Sequence, residues 1–150
     1  MDADGAEAVV RAADAHGVQR SEPRRLLRFD DFRPGTEIAR ADMEVPAEAA
    51  EQLHRAFPDL AAEDASVELT IAMLMRAYTR LVAPRPPGNI HAGQEMRIHR
   101  VLTPGERFQA RADCIDKETK AGRNWVRFGL VLETAAGPLV DAKMRFVWAQ

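Results

Sequence analysis

The chain has 150 residues, a formal charge of −2, 46% hydrophobic residues and one cysteine, Cys114. That length suits one domain with a core of its own, and a single thiol excludes both an internal disulfide and a cysteine-rich zinc site. No apolar run approaches the roughly 18 residues of a membrane span, and the Met1-Asp2-Ala3-Asp4 start lacks the basic flank of a signal peptide, so a soluble, cytoplasmic protein is expected.

The small net charge hides a gradient. Residues 1–75 carry −8, residues 76–111 carry +5 through seven arginines, and residues 112–150 carry +1. A basic middle suits a phosphorylated ligand, although solvating charges on strand and helix surfaces account for it as well. Arg outnumbers Lys eighteen to three throughout the chain, a usage that fits genomic base composition better than anion recognition.

Residues 1–28 form an N-terminal extension. Ala6–Ala15 suits a short helix that Gly17 ends, and residues 19–25, interrupted by Pro23, suit a linker. Four arginines between 20 and 28 have no interleaved aromatics, so nucleic acid is not an expected partner. The domain proper spans 29–150. It opens with the turn-rich Phe29-Asp30-Asp31-Phe32-Arg33-Pro34-Gly35, followed by a strand over Glu37–Glu44. Pro46 suits the first turn of a helix that runs to about Phe57 and stops at Pro58-Asp59. Phe57–Ala65 is a loop, and Ser66–Val82 is the strongest helical segment, with Asp64 or Ser66 as its cap. Its apolar residues cover most of the circumference, which predicts burial on nearly all sides.

After Gly88 the period changes to two. Four segments alternate: Gln94/Met96/Ile98, Phe108/Ala110/Ala112/Cys114, Val126/Phe128/Leu130/Leu132 and Val140/Ala142/Met144/Phe146/Trp148. Turn residues separate the last three at Lys120-Ala121-Gly122 and Ala136-Gly137-Pro138, and Thr103-Pro104-Gly105 precedes them. Each strand has one apolar face, which a long helix must cover. The pattern describes an α+β domain: a curved antiparallel sheet of about five strands wrapped around a central helix of about 66–82.

That outline, together with two motifs, resembles the MaoC-like hydratases and dehydratases of the hot-dog fold. Phe29-Asp30-Asp31-Phe32-x-x-Gly35 is similar to the family's opening strand motif, and Asn89–Glu106 is similar to its second strand. The resemblance covers about residues 29–150 and is closest to the N-terminal-type half, which in double hot-dog enzymes mainly shapes the acyl tunnel. Catalytic members carry Asp-x-Asn-Pro-x-His before the central helix. The corresponding Phe57–Ala65 has acids but neither His nor Asn, so no Asp–His pair is carried over.

Candidate residues follow from residue type and from this resemblance. Asp59, Glu63 and Asp64 occupy the loop that is catalytic in relatives, where a lone carboxylate can act as a base, although helix-end chemistry also favours acids there. His91 and His99 flank the second strand on the same parity. At about 3.3 Å per residue they lie some 26 Å apart, too far to share a metal, and His91 is the candidate acid or base. His54 and His16 are expected to be structural or solvated. Arg97, Arg100 and Arg107 are candidates for the phosphates of coenzyme A or phosphopantetheine. Met73, Met75 and Tyr78 would line an acyl tunnel, or else pack as ordinary core. Cys114 is expected to be buried and inert. No metal and no cofactor are expected.

The resemblance implies acyl-CoA or a carrier-bound acyl group as substrate, in fatty acid or polyketide metabolism. It implies a subunit that lacks its own catalytic pair and shapes the acyl pocket as a homodimer or with a catalytic hot-dog partner. A self-sufficient hydratase/dehydratase or thioesterase with relocated residues is the alternative, and a non-enzymatic binding protein is the second.

Overall fold

The computed structural model describes residues 25–149. A 3-10 turn (Phe29–Asp31) leads into β1 (Thr36–Glu44), α1 (Ala49–Ala56), α2 (Ala62–Leu81), β2 (Ile90–Ile98), β3 (Arg107–Lys120), β4 (Arg123–Thr134) and β5 (Gly137–Trp148). The strands form one antiparallel sheet in the order β1-β3-β4-β5-β2. This is the α+β architecture that the change of period predicts. The helix expected at residues 6–15, and His16, lie outside the described residues.

Alternation builds the core. Val126, Phe128, Leu130 and Leu132 of β4 point inward with Val140, Met144, Phe146 and Trp148 of β5, and all are buried. Cys114 joins them from β3, as expected, and burial pushes its thiol pKa up. The concave face closes on α2, which buries one stripe from Leu69 to Leu81 at steps of three and four residues.

Burial of α2 on nearly all sides is the expectation that the structure corrects. Val67 is 37% exposed, and Ile71 and Met75 are half-buried. The reason is width. A helix about 10–12 Å across spans two or three strands at about 4.8 Å spacing, and α2 rests on β1, β3 and β4. The start of α2 differs too. It begins four residues earlier than expected because Ala62-Glu63-Asp64-Ala65 winds into the helix rather than remaining loop. Ala61 occupies the cap position and no side chain caps it; the Ser66 hydroxyl instead donates back to the Ala62 carbonyl at 3.2 Å. The first helix is shorter than expected, because Pro46 accepts a turn bond from the Ala49 N–H and helical structure starts only there.

The Phe-Asp-Asp-Phe motif proves to be a structural anchor. Phe32 is buried edge-on to Phe128 and Trp148, with ring centroids 5.0 and 4.9 Å away. The Trp148 indole N–H donates to the Leu27 carbonyl at 3.0 Å, and the Leu27 N–H donates to that of Pro84 at 2.9 Å. Asp31 receives both guanidinium nitrogens of Arg25 and the Arg28 N–H, each at 2.7 Å. One buried polar side chain, Thr70, ties helix to sheet connection. It accepts the Leu102 N–H at 2.8 Å while donating to the Ser66 carbonyl at 2.8 Å.

Two outcomes follow from these contacts. Hydrogen bonding to Arg25 holds the Asp31 carboxyl down at about 2, so its contribution is complete above its ordinary value and disappears as pH falls through 2. Asp31→Asn should destabilise by about 1 kcal/mol near neutrality, since the pair is partly screened, and by nothing resolvable at the acid end; denaturant melts across pH measure this. In the β3–β4 hairpin, Ala121 and Gly122 both have positive φ (51° and 71°). Asn tolerates that conformation far better than Ala. Ala121→Asn should therefore add about 0.5–1 kcal/mol of stability and raise the Tm in a thermal melt.

Candidate functional site

Beyond the strands that α2 covers, the sheet continues through β5 to β2, an edge strand with no fully buried residue. Register shows which way β2 faces. His91, Gln94, Met96 and Ile98 lie opposite Phe146, Met144, Ala142 and Val140, which all point into the core. Met96 and Ile98 are half-buried against the core, whereas His91 is exposed. On the helix, Val67, Ile71 and Met75 follow one another at four-residue steps along the flank that ends at Tyr78. The fold is thus open on one side, between this apolar flank and the uncovered strip of β2.

A bulge decides where His91 points. The β2–β5 register shifts between His91 and Gly93, and the extra residue reverses the alternation. The same-parity placement of the two histidines is therefore corrected. His91 faces the concave side, and His99 lies toward the convex one with its Nε2 2.6 Å from the Asp141 carboxylate. His91 stacks on Phe146 (centroids 4.5 Å, planes 16° apart), and Phe146 stacks with Tyr78 (4.7 Å, 13°). The Arg85 guanidinium lies 5.1 Å from the Tyr78 ring centre. Burial pushes the Tyr78 hydroxyl up to about 12 against the opposing charge of Arg85, so it stays protonated near neutrality and cannot serve as a base. The His91 imidazole makes no hydrogen bond to a described residue and is available to a ligand.

The loop acids lie at the opposite end of α2. Asp59 sits in the turn after α1, and Glu63 and Asp64 sit in the first turn of α2; all three are exposed and none is paired with a described residue. Asp64 and Tyr78 are separated along α2 by about 21 Å, at 1.5 Å per residue. Within one chain, His91 and the acids are therefore not brought together. The three arginines also diverge. Arg97 is exposed on the convex side of β2 opposite Asp141. Arg100 binds Glu106 at 2.5 Å, which also receives the Thr103 N–H. Arg107 lies 3.5 Å from Glu44 at the β1 edge. Met73 and Tyr78 are both buried in the core stripe, and His54 is exposed on α1. Among the described residues no three His, Cys, Asp or Glu groups cluster to hold a metal, and no helix is long and apolar enough to cross a membrane.

A second concavity of about 300 Å³ lies on the convex side, among Asp116, Glu118, Trp125, Arg127 and Arg145. Arg127 pairs with Asp116 through one terminal nitrogen while its buried Nε has no hydrogen-bond partner among the described residues, and the Arg145 guanidinium carbon lies 4.1 Å from the centre of the Trp125 ring.

No family model matches the chain, and no curated protein does. Solved structures do. A MaoC-like dehydratase from Rhodospirillum rubrum superposes with a TM-score of 0.66 at 20% identity, over 83% of this chain and 98% of that one. The R-hydratase PhaJ1 of Pseudomonas aeruginosa, in its unliganded form, gives 0.61 at 20% identity over 81% and 85%. The chain has the hot-dog fold. The ChsH1–ChsH2 complex of Mycobacterium tuberculosis is also similar, at a TM-score of 0.55 and 10% identity over 77% of this chain and 98% of that one.

Within this hot-dog domain, sequence reasoning missed Phe146 and Thr70 as site supports. Only cross-strand register links Phe146 to His91, whereas a lone Thr in an otherwise apolar helical stripe is a legible sign of a buried hydrogen bond. His91 stacks at the surface end of the aromatic column. His91→Ala should therefore change stability by less than about 1 kcal/mol, whereas Phe146→Ala should cost about 3–5 kcal/mol, both read from denaturant melts.

Proposed function

We propose that the chain binds acyl thioesters, carried on coenzyme A or on the phosphopantetheine of a carrier protein. In this reading it is a hydratase/dehydratase-type hot-dog subunit that lacks an Asp–His pair of its own. It shapes the acyl pocket together with a partner, either a second copy or a catalytic hot-dog subunit. The observation that carries this is the open apolar side of the fold. Met96 and Ile98 of β2 and Ile71 and Met75 of α2 are half-buried and Val67 is exposed, and a buried hydrocarbon gains about 0.8 kcal/mol per methylene there. At one end of this side α2 begins without a side-chain cap, so its leading N–H groups remain to polarise a thioester carbonyl.

The chemistry that is missing supports the subunit role. Addition of water to an enoyl thioester needs a base and an acid at one substrate position. The turn before α2 and its first helical turn supply carboxylates, and the chain's own His91 sits at the far end of the helix. Of the three candidate arginines, Arg97, on the convex side of β2, is the one that makes no ion pair with a described residue, whereas Arg100 and Arg107 are held by Glu106 and Glu44. Likeness to an R-hydratase and to a complex of two different chains is consistent with both halves of the proposal.

Calorimetric titration with acyl-CoAs of increasing chain length tests it. Affinity should rise about fourfold per added methylene until the strip is filled, at about 0.8 kcal/mol each. Enoyl-CoA absorbance should fall only when a catalytic hot-dog subunit is added. Absence of measurable acyl-CoA affinity overturns the proposal. A second reading, a self-sufficient hydratase/dehydratase or thioesterase, is favoured by the unengaged His91 and by the unpaired Asp59, Glu63 and Asp64. It requires turnover by the chain alone that His91→Ala or Asp64→Ala abolishes. Binding without turnover in any combination of subunits identifies a non-enzymatic binding protein.

A further inference from the structure

We infer that the convex face of the sheet carries a site for a small carboxylic acid with an apolar body, its carboxylate held between Arg127 and Arg145 beside Trp125. A bulge builds the site. The β3–β4 register shifts between Cys114 and Asp116, so Cys114 faces the core while Asp116 and Glu118 turn to the convex side, opposite Arg127 and Trp125. The same shift turns Lys117 inward, where it donates to the Phe29 carbonyl at 3.0 Å. What remains among Asp116, Glu118, Trp125, Arg127 and Arg145 is the concavity of about 300 Å³, at the small end of ligand pockets.

Charge is out of balance here. Nearby cations on this face meet carboxylates: Lys143 is opposite Glu95, Arg97 is opposite Asp141, and Arg111 lies 3.4 Å from Asp113 and 3.7 Å from Glu133. Arg145 instead has Arg127 opposite it on β4 and Gly93 opposite it on β2. That gives it a like charge on one side, which is unfavourable, and no side chain on the other. It forms no ion pair with a described residue, and its guanidinium carbon rests 4.1 Å from the centre of the Trp125 ring. Arg127 meets Asp116 through one terminal nitrogen, and its buried Nε–H has no hydrogen-bond partner among the described residues. The side edge of a guanidinium offers Nε and a terminal nitrogen in parallel to the two oxygens of a carboxylate, and on Arg127 that edge is half used. A carboxylate set between the two side chains supplies the Nε–H with an acceptor and Arg145 with a counter-charge.

The lining also selects among anions. Arg127, Arg145 and Asp116 together carry one surplus positive charge, which a monoanion balances. Glu118 lies two strands from Arg145, about 10 Å across the sheet, close enough to disfavour a dianion such as phosphate. The next row indicates the body of the ligand. Trp125, Val147 and Ile90 lie side by side across β4, β5 and β2, and Ile90 is 54% exposed, so an apolar group joined to the carboxylate covers surface otherwise left in water. Gly93 keeps the floor beside Arg145 clear, since a Cβ there would meet nothing within 4 Å. The site is on the face of the sheet away from α2, so it stands or falls separately from the thioester reading.

The test is an NMR titration of the full chain with sodium benzoate at constant ionic strength, read from the arginine Nε–H and tryptophan indole N–H signals. Those of Arg127, Arg145 and Trp125 should shift and saturate, and inorganic phosphate should bind about threefold more weakly or worse. Arg145→Gln should lower benzoate affinity about tenfold, because it removes the unbalanced charge. Glu118→Gln should raise it about two- to threefold by removing a nearby like charge. Gly93→Glu should set a carboxylate of the chain's own opposite Arg145, raising the Tm and abolishing benzoate binding, whereas Gly93→Ala should leave the affinity within about twofold. A melting curve for each variant verifies that it is folded. Shifts that never saturate and equal those produced by sodium chloride identify general ionic screening and overturn the inference. Benzoate affinity indifferent to Arg145→Gln, or phosphate binding tighter than benzoate, overturns it as well.

Discussion

The packing of one α2 stripe against a sheet wider than the helix is the constraint on which the rest depends. A sheet of five strands curves over α2, yet a single helix can cover only two or three of them. Coverage falls mainly on β1, β3 and β4, with Tyr78 reaching Phe146 of β5, and the uncovered remainder falls at β2. The open side is therefore a matter of geometry before it is a matter of chemistry. Any ligand or partner chain that this fold accepts on its concave face has to be received there.

Two devices hold that arrangement in place from opposite ends. At one end the Phe32, Phe128 and Trp148 rings pack edge to face, so the segment before β1 is locked to the end of β5. At the other, Thr70 takes the Leu102 N–H, fixing the β2–β3 connection to the first half of α2. Between them β2 starts beside Tyr78 and finishes near Thr70, running against the helix. This antiparallel course is what sends His91 and the loop acids to opposite ends of the open side.

Much of this fold is legible in the sequence, because its signals are local. Period-two alternation gives β3, β4 and β5 almost residue by residue, and the Lys120-Ala121-Gly122 turn occurs where Gly and positive φ are needed. What is not legible depends on non-local geometry. Burial of α2 follows from the width of the sheet beneath it, which the pattern within residues 62–81 cannot express. The inward turn of His91 follows from a bulge; Gly93 within the strand is a local hint of one, but it does not say on which side of the glycine the register shifts. The candidate site is legible in its residue types and not in its distances: Asp64 and His91 are both exposed toward solvent, but they stand at the two ends of one helix. Arg100 and Arg107 are phosphate candidates through the family resemblance, while their carboxylate neighbours are visible only once the β2–β3 connection brings Glu106 to Arg100 and the β1–β3 pairing brings Glu44 to Arg107.

The lone cysteine has a practical corollary. Cys114 is buried on the concave face of β3 and that burial pushes its thiol pKa up, so it is a poor nucleophile in the native state. The chain therefore offers a background that is silent to thiol chemistry without any prior removal of cysteine. A fluorophore or spin label attached through one introduced surface cysteine would report from that position alone, and labelling of Cys114 itself would register only when the sheet opens. Cys114 is in this way a built-in reporter of the chain's unfolding.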